Sequence, residues 1–400
     1  MAFDVASVRG LFPALGDGWV HLDAPEGMQV PEQVATAVST AMRAPVSGRG
    51  GVFPASQRAE AIIDAARRAV ADLVGGQPAG VVLGPSVPVL LARLADALAE
   101  SWLLGDEVVV SRLDQQANIV PWLRAAQRTG ATARWAEIEI ETCELPAWQY
   151  DELVNERTKV VAVTAGSGVV GARPELTPIL QCAGKHHGTL CVVDASATAP
   201  FLPLDIASLG ADVLVLNASA WGGPPIAAMV FRQPALLDRL PSLSLEPHAR
   251  GADRLEPGPH PYPLLAGLVA SVEYLAGLDD AASGSRRERV LTSMSSVKAY
   301  LTGLLVHLVN ELRALRHVMV VGDSMRRVPT VAFTVTNVKA PDVVEHLANH
   351  GVCAFADPAL HGVLAALGIG EVGGAVVAGL AHYSTTVEVN QLVGAVAALD

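Results

Sequence analysis

Asp194 directly follows the apolar run Leu190 to Val193, which is bounded by turn residues and reads as a strand buried on both faces. Ligands of open α/β sheets bind outside the carboxyl ends of the strands, so Asp194 is a candidate ligand carboxylate. The competing use of such a residue is to cap the turn that follows it. Two hydroxyls could hold a phosphate or another anion. Ser86 lies in a Leu-Gly-Pro-Ser turn that enters a helix, and Ser219 lies in the stretch Asn217 to Pro224. Either could equally be an ordinary helix cap or turn serine. Lysine is scarce: Lys159, Lys185, Lys298 and Lys339 are the only four. The cysteines, Cys143, Cys182, Cys191 and Cys353, are not paired at metal-ligand spacing, so four reduced structural thiols and no metal site are expected.

The elements that must position these residues have an aliphatic core to form around. The 400 residues are 51% hydrophobic but only 4% aromatic, enough chain for two packed domains. The formal net charge of −12 and the absence of a basic stripe argue against nucleic-acid binding. The segment Met1 to Leu11 carries Asp4 and Arg9 and does not read as a secretory signal. The most apolar long stretch, Val87 to Leu104, is interrupted by Arg93, Asp96 and Glu100, so no membrane span is expected and the location is taken as cytoplasmic.

From about residue 55 the pattern alternates. Helical spacing over Gln57 to Leu73 precedes an apolar run, Gly80 to Leu83, and a further helix over Val87 to Ala99. Glu107 to Ser111 reads as a strand, Asn118 to Thr129 as a helix, Thr132 to Glu137 as a strand and Gln149 to Val154 as a helix. Three continuous apolar runs, Lys159 to Thr164, Leu190 to Val193 and Val213 to Leu216, predict doubly buried strands joined by right-handed βαβ crossovers. Gly251 to His260 reads as an extended loop, and Ala266 to Leu278 and Arg286 to Leu315 as a helix pair. A smaller α+β pattern follows. Its strands are Val318 to Val321, Thr330 to Val335 and Val376 to Ala381, and its helices Pro341 to His350 and Val387 to Leu399.

Four segments in this order carry a resemblance: VHLDAPEGMQVPEQV (Val20 to Val34), DQQANIVPW (Asp114 to Trp122), VVDASATAP (Val192 to Pro200) and AGLAHYSTTVEVNQLV (Ala378 to Val393). Nearly end to end, the chain resembles the class V branch of the fold-type I pyridoxal-phosphate (PLP) enzymes, which includes cysteine desulfurases and related aminotransferases. The resemblance implies an α/β fold. A PLP-transferase-like large domain over residues 20–282 would have a mostly parallel central sheet sandwiched by helices. A smaller α+β domain would combine residues 1–19 and 283–400. It also implies a homodimer with active sites shared between subunits.

In that family PLP forms a Schiff base with a lysine, and a carboxylate beside the pyridine nitrogen keeps it protonated. Asp194 matches the carboxylate. The family's Ser-x-His-Lys-x-x-Gly-Pro pattern falls on Asn217 to Pro224, which puts Ala220 at the lysine and Ser219 at the phosphate-contacting histidine. Alanine can neither form a Schiff base nor shuttle a proton. Trp221 is expected to fill part of the space the lysine leaves. Gln115 matches the ring-stacking histidine, Ala197 the partner of the ring's phenolic oxygen, Gly168 an asparagine, and Val377 the arginine that clamps the substrate carboxylate. Pro259 matches the phosphate-binding threonine given by the partner subunit.

Two functions are weighed on this basis. In the first, the chain is an aminotransferase- or desulfurase-like protein without covalent PLP catalysis, acting as a binding or scaffold homologue for a small-molecule ligand. In the second, it is an enzyme holding pyridoxamine phosphate or PLP without a covalent bond, with a histidine as base. His260, in the Pro-rich loop, is the foremost candidate, ahead of His186 and His187 at a helix end; a solvated loop histidine is the competing reading. A thiol function for Cys353 is a third reading. It stands against the apolar Gly-Val-Cys-Ala-Phe-Ala context, which reads as a strand with a buried, inert thiol.

Overall fold

Successive residues of the apolar strands bury themselves in two different cores. Val161, Val163, Cys191, Val193, Leu214 and Leu216 face one. Val160, Ala162, Leu190, Val192, Val213 and Val215 face the other. The period-two geometry of a strand sends alternate side chains to opposite faces, so an unbroken apolar run requires an apolar layer on both sides. A computed structural model, describing residues 3–399, has this arrangement.

The central sheet has seven strands: β2 (Val81–Gly84), β3 (Glu107–Ser111), β4 (Thr132–Ala136), β5 (Thr158–Thr164), β6 (Leu190–Asp194), β7 (Val213–Asn217) and β8 (Ala227–Phe231). Their order is β2-β8-β7-β6-β5-β3-β4. The run from β7 to β4 is parallel throughout. Strand β8 is antiparallel to both β7 and β2, so the two reversals return β2 to the direction of the parallel strands.

On one face the helices Val87–Ala99 and Val120–Thr129 insert Leu90, Leu91, Leu94 and Trp122. On the other lie Pro54–Val74, Leu176–Gly184, Tyr262–Ala276 and the 29-residue Arg286–Ala314. The last begins at a capping box in which Ser285 and Glu288 satisfy each other's backbone N–H.

A second, antiparallel sheet has the order β12 (Phe355–Asp357), β13 (Ala375–Gly379), β10 (Thr330–Val335) and β9 (Val318–Val320). The helices Ala340–Asn349 and Thr386–Ala397 accompany it. The N-terminal segment reaches this region through a two-residue parallel ladder between β1 (Val20–His21) and β11 (Val352–Cys353).

The alternation of helices and strands agrees with expectation to within a few residues at nearly every boundary. Several features differ, among them the helices Val5–Arg9 and Glu32–Arg43, where no element was expected. Strand β8 was not anticipated; its five apolar residues are too few for periodicity to separate strand from helix. The stretch Gly251 to His260 is not wholly extended, because Gly251–Leu255 winds into a 3-10 helix. The apolar segment around Cys353 divides into the short strands β11 and β12. Cys353 is only half-buried, not the buried thiol expected, and Phe355 is exposed.

Candidate functional site

The carboxyl ends of β2, β3, β5, β6 and β7 share one edge of the central sheet. Strand register aligns Thr164 with Asp194, Asp194 with Val215, and Gly84 with Asn217 through Ala227. The turns beyond this edge carry nearly all the candidate residues.

Asp194 ends β6 and is buried. Its Oδ1 accepts the Ser196 backbone N–H at 2.9 Å, so the turn-capping and ligand readings coexist in one side chain. Burial raises its pKa, and the hydrogen bond from the Ser196 N–H pulls it back. Below it lies a second carboxylate that the sequence reading did not single out. Asp114 is fully buried. It accepts hydrogen bonds from the Ser111 hydroxyl and, at 2.6 Å, from Asn118 Nδ2. Asn118 Oδ1 in turn accepts the Trp122 indole N–H at 3.3 Å. Burial pushes the Asp114 pKa up to about 7, the two hydrogen bonds oppose the rise, and the Asp194 charge adds to it. Nearby, the Tyr150 hydroxyl is buried without a hydrogen-bond partner. The clue to Asp114 in the sequence is its place three residues past the end of an apolar strand, at the head of the DQQANIVPW segment.

Gln115, Gly168 and Ala197 converge over the same edge. A Cβ placed on Gly168 would lie 3.0 Å from Gln115 Nε2 and 3.7 Å from the Ala197 Cβ. Gln115 itself is exposed.

After β7 the chain forms a 3-10 turn, Ala218–Trp221, capped by Asn217, whose Oδ1 accepts the Ser219 N–H at 3.3 Å. Ser219 and Ala220 are half-buried. The Ser219 carbonyl receives the Met28 N–H at 3.2 Å, which lays the N-terminal segment against this turn. Gly27 has φ +136°, and a Cβ there would come within 3.2 Å of that carbonyl, so the close approach requires glycine. Trp221 is buried as expected, but its N–H is directed to Ser271 Oγ at 3.0 Å, tying the turn to the helix Tyr262–Ala276.

Ser86 occupies the N-cap position of the 13-residue helix Val87–Ala99. Its hydroxyl makes no capping bond, leaving it available to a ligand at a helix N-terminus.

All four lysines lie elsewhere. Lys159 is at the amino end of β5 and pairs with Asp106 at 3.4 Å. Lys185 pairs with Asp151 before β6. Lys298 is exposed on the long helix, and Lys339 lies against Gly373 beside the second sheet.

His260 is not a solvated loop histidine. Its Nε2 lies 3.2 Å from Glu256 Oε2, and its side chain is 8% exposed. Glu256 also accepts the Leu83 N–H and the Arg67 guanidinium, each at 2.6 Å. His260 borders a cavity of about 390 Å³ that includes Gly84, Pro85 and Ile226, which places it beside the turn leading to Ser86. Ligand atoms of Asp253, Glu256 and His260 lie within 4.8 Å of one another, but Arg67 bridges both carboxylates and Arg49 takes Asp253 as well.

His186 pairs with Glu156 at the amino ends of the strands, on the far side of the sheet. Pro259 is an exposed loop residue, and Val377 is buried in β13. The Cys353 thiol is held protonated by burial and by Asp23 and Asp17 beside it.

The model of the family described as Aminotransferase class-V matches residues 20–392. The chain is 52% identical over the full length of both sequences to the uncharacterized protein MT3887 of Mycobacterium tuberculosis (strain CDC 1551 / Oshkosh). It is 26% identical to a probable cysteine desulfurase of Streptomyces coelicolor, covering 87% of this chain and 86% of that one. Among solved structures, the cysteine desulfurase CsdA of Escherichia coli superposes with a TM-score of 0.84 at 25% identity, covering 99% of this chain and 98% of the other. The apo cysteine desulfurase of Thermococcus onnurineus superposes at 0.88 with 21% identity, covering 100% and 98%. A fold of this topology, with an aspartate ending β6 and a match spanning nearly the whole sequence, places the chain in the class-V aminotransferase family.

Proposed function

We propose that this chain is a class-V homologue that binds a pyridoxal-type phosphate without attaching it, and that it acts as a binding protein in place of a covalent PLP enzyme. The observation that carries the reading is the pairing of Asp194 at the end of β6 with Ala220 after β7, while every lysine lies away from that edge. The residues fit the group. Asp194 would hold the ring nitrogen, Ser86 with its unbonded hydroxyl and Ser219 would hold the phosphate, and Gln115 would cover the ring. When bound, PLP supplies an electron sink. At this edge the chain offers a carboxylate, hydroxyls and an amide, but no amine to trap the aldehyde.

A solved neighbour supports retention without the lysine. A lysine-to-alanine mutant of C-DES, with a TM-score of 0.80 at 20% identity, has glycine covalently linked to its PLP cofactor. The alternative, an enzyme with His260 as base, is weakened by the Glu256 contact, which occupies the histidine's Nε2. We further infer a homodimer and a cytoplasmic location. Supporting the first, Met42, Val52, Phe53 and Leu245 are exposed apolar residues on the segments around Gly48–Gly50 and Ser244–Ala249. Consistent with the second, no helix among the described residues is long and apolar enough to cross a membrane.

The test is a near-visible titration of the purified chain with PLP and with pyridoxamine phosphate, before and after borohydride. Reversible binding that is lost in Asp194→Ala, with no adduct trapped, is the expected result. A reducible adduct on the wild-type protein would refute the reading, as would failure to bind either compound.

A further inference from the structure

Beyond the carboxyl ends of β5 and β6, a cleft of about 320 Å³ opens where the loop after β5 meets the loop before β10. The two loops are joined by backbone: the Arg173 N–H donates to the Arg326 carbonyl at 2.9 Å, and Ala172 forms an isolated β-bridge with Arg327. Both arginine side chains border the cleft, but they are not equivalent. Arg326 is paired with Glu175. Arg173 has no acidic partner among the described residues, and its Nε is buried without a hydrogen-bond acceptor. Burial, and the positive charge of Arg326, both act against the charged form of Arg173. A partly buried cation with no counter-ion is costly in isolation, which makes it a poor structural element and a good ligand contact.

One side of the wall is aliphatic, while Glu175, Thr177 and Thr198 add polar groups. Leu202, Leu204 and Leu209 border the same space, beside Thr198. A planar guanidinium matches a carboxylate with two parallel hydrogen bonds, and the leucines match a hydrocarbon chain. Phosphate suits the cleft less well: it gains nothing from the leucines, and its second charge would face Glu175 on the rim. We propose that this cleft binds a small aliphatic carboxylate, its acid group held by Arg173 and its chain lying on Leu202, Leu204 and Leu209. The ligand would sit across the junction of the two loops. None of these residues belongs to the Asp194 site, so the proposal stands or falls separately from the cofactor reading.

Calorimetric titration of the full chain with hexanoate, hexanamide and inorganic phosphate tests it. Saturable binding of hexanoate is expected, with hexanamide and phosphate at least ~10-fold weaker. Arg173→Leu should lose at least ~10-fold in hexanoate affinity while its melting temperature is kept or raised, since a cation without a partner is removed. Arg173→Lys should retain part of the affinity. Equal binding of hexanoate and hexanamide to the wild-type protein would overturn the proposal without recourse to any variant. So would tighter binding of phosphate, unchanged affinity in Arg173→Leu, or no saturation by hexanoate.

Discussion

Ala220 and Asp114 bear on the candidate site through single functional groups, and each can be addressed by one substitution. Ala220→Lys places an amine on the turn that follows β7, close to the edge where Asp194 lies. Incubation with PLP and borohydride should then leave a protein adduct that mass spectrometry maps to position 220, and the wild-type chain should show none. Asp114 makes a prediction about pH. Its pKa in the folded chain is about 7 against a reference of 3.8, so between those values the native state binds more protons than the unfolded state. Stability therefore falls as pH rises through that window, by up to roughly 1.4 kcal/mol per pH unit for one group. Asp114→Asn can keep both the Asn118 and Ser111 contacts and should flatten that dependence, as measured by urea unfolding at a series of pH values. Asp194 was legible in the sequence because a lone acid after an apolar run can be placed on a strand end. Asp114 was legible only in its place past the end of β3; its burial depends on the turn that folds it back toward Asp194, and a turn's tertiary destination has no local signature. The Glu256–His260 contact escaped for the same reason: it depends on Arg67 and Leu83, far away in sequence.

Between elements, the loop after β6 is locked to the segment after β13 by one buried histidine. His382 Nε2 lies 2.5 Å from the Pro200 carbonyl and Nδ1 lies 2.8 Å from the Tyr274 hydroxyl. A carbonyl only accepts, so Nε2 carries the proton and Nδ1 accepts from tyrosine. Burial lowers the pKa of this imidazole to about 4 from 6.5. The unfolded chain binds the extra proton between those values, so this contact's stability is complete above the upper one and is lost as pH falls toward the lower. His382→Ala leaves the Tyr274 hydroxyl and a carbonyl unsatisfied in a buried space and should destabilise by about 2–4 kcal/mol at neutral pH. It should also remove part of the acid sensitivity in denaturant melts. The elements that meet here were mostly readable: β5, β6 and β7 announce themselves as apolar runs, and the long helix was expected over Arg286 to Leu315. What periodicity could not supply was β8, whose five residues form a strand only because β7 and β2 present open edges on either side of them.

For the molecule as a whole, the placement of exposed apolar side chains is the informative quantity. Val52 is 92% exposed and Leu245 85%, with Met42 and Phe53 also in contact with solvent, and these belong to segments bordering a cleft of about 790 Å³ that His260 also lines. Scattered exposed leucines are ordinary, but a group of large apolar residues on neighbouring segments is the surface that the proposed homodimer would cover. An isologous dimer would bury the same patch on both subunits, so one substitution removes two contacts. The net charge of −12 means that an added carboxylate on each subunit also adds repulsion across the two-fold axis. Phe53→Glu combined with Leu245→Glu should therefore shift the chain from twice its 41.6 kDa mass to that mass in light scattering at micromolar concentration. Surface substitutions of this kind leave the monomer core intact, so far-ultraviolet dichroism should be unchanged. If the site at Asp194 is completed across that axis, as the position of His260 beside the same cleft suggests, the monomer will also lose affinity for pyridoxamine phosphate. A wild-type chain of single mass, or a double variant that remains dimeric, would move the association surface elsewhere.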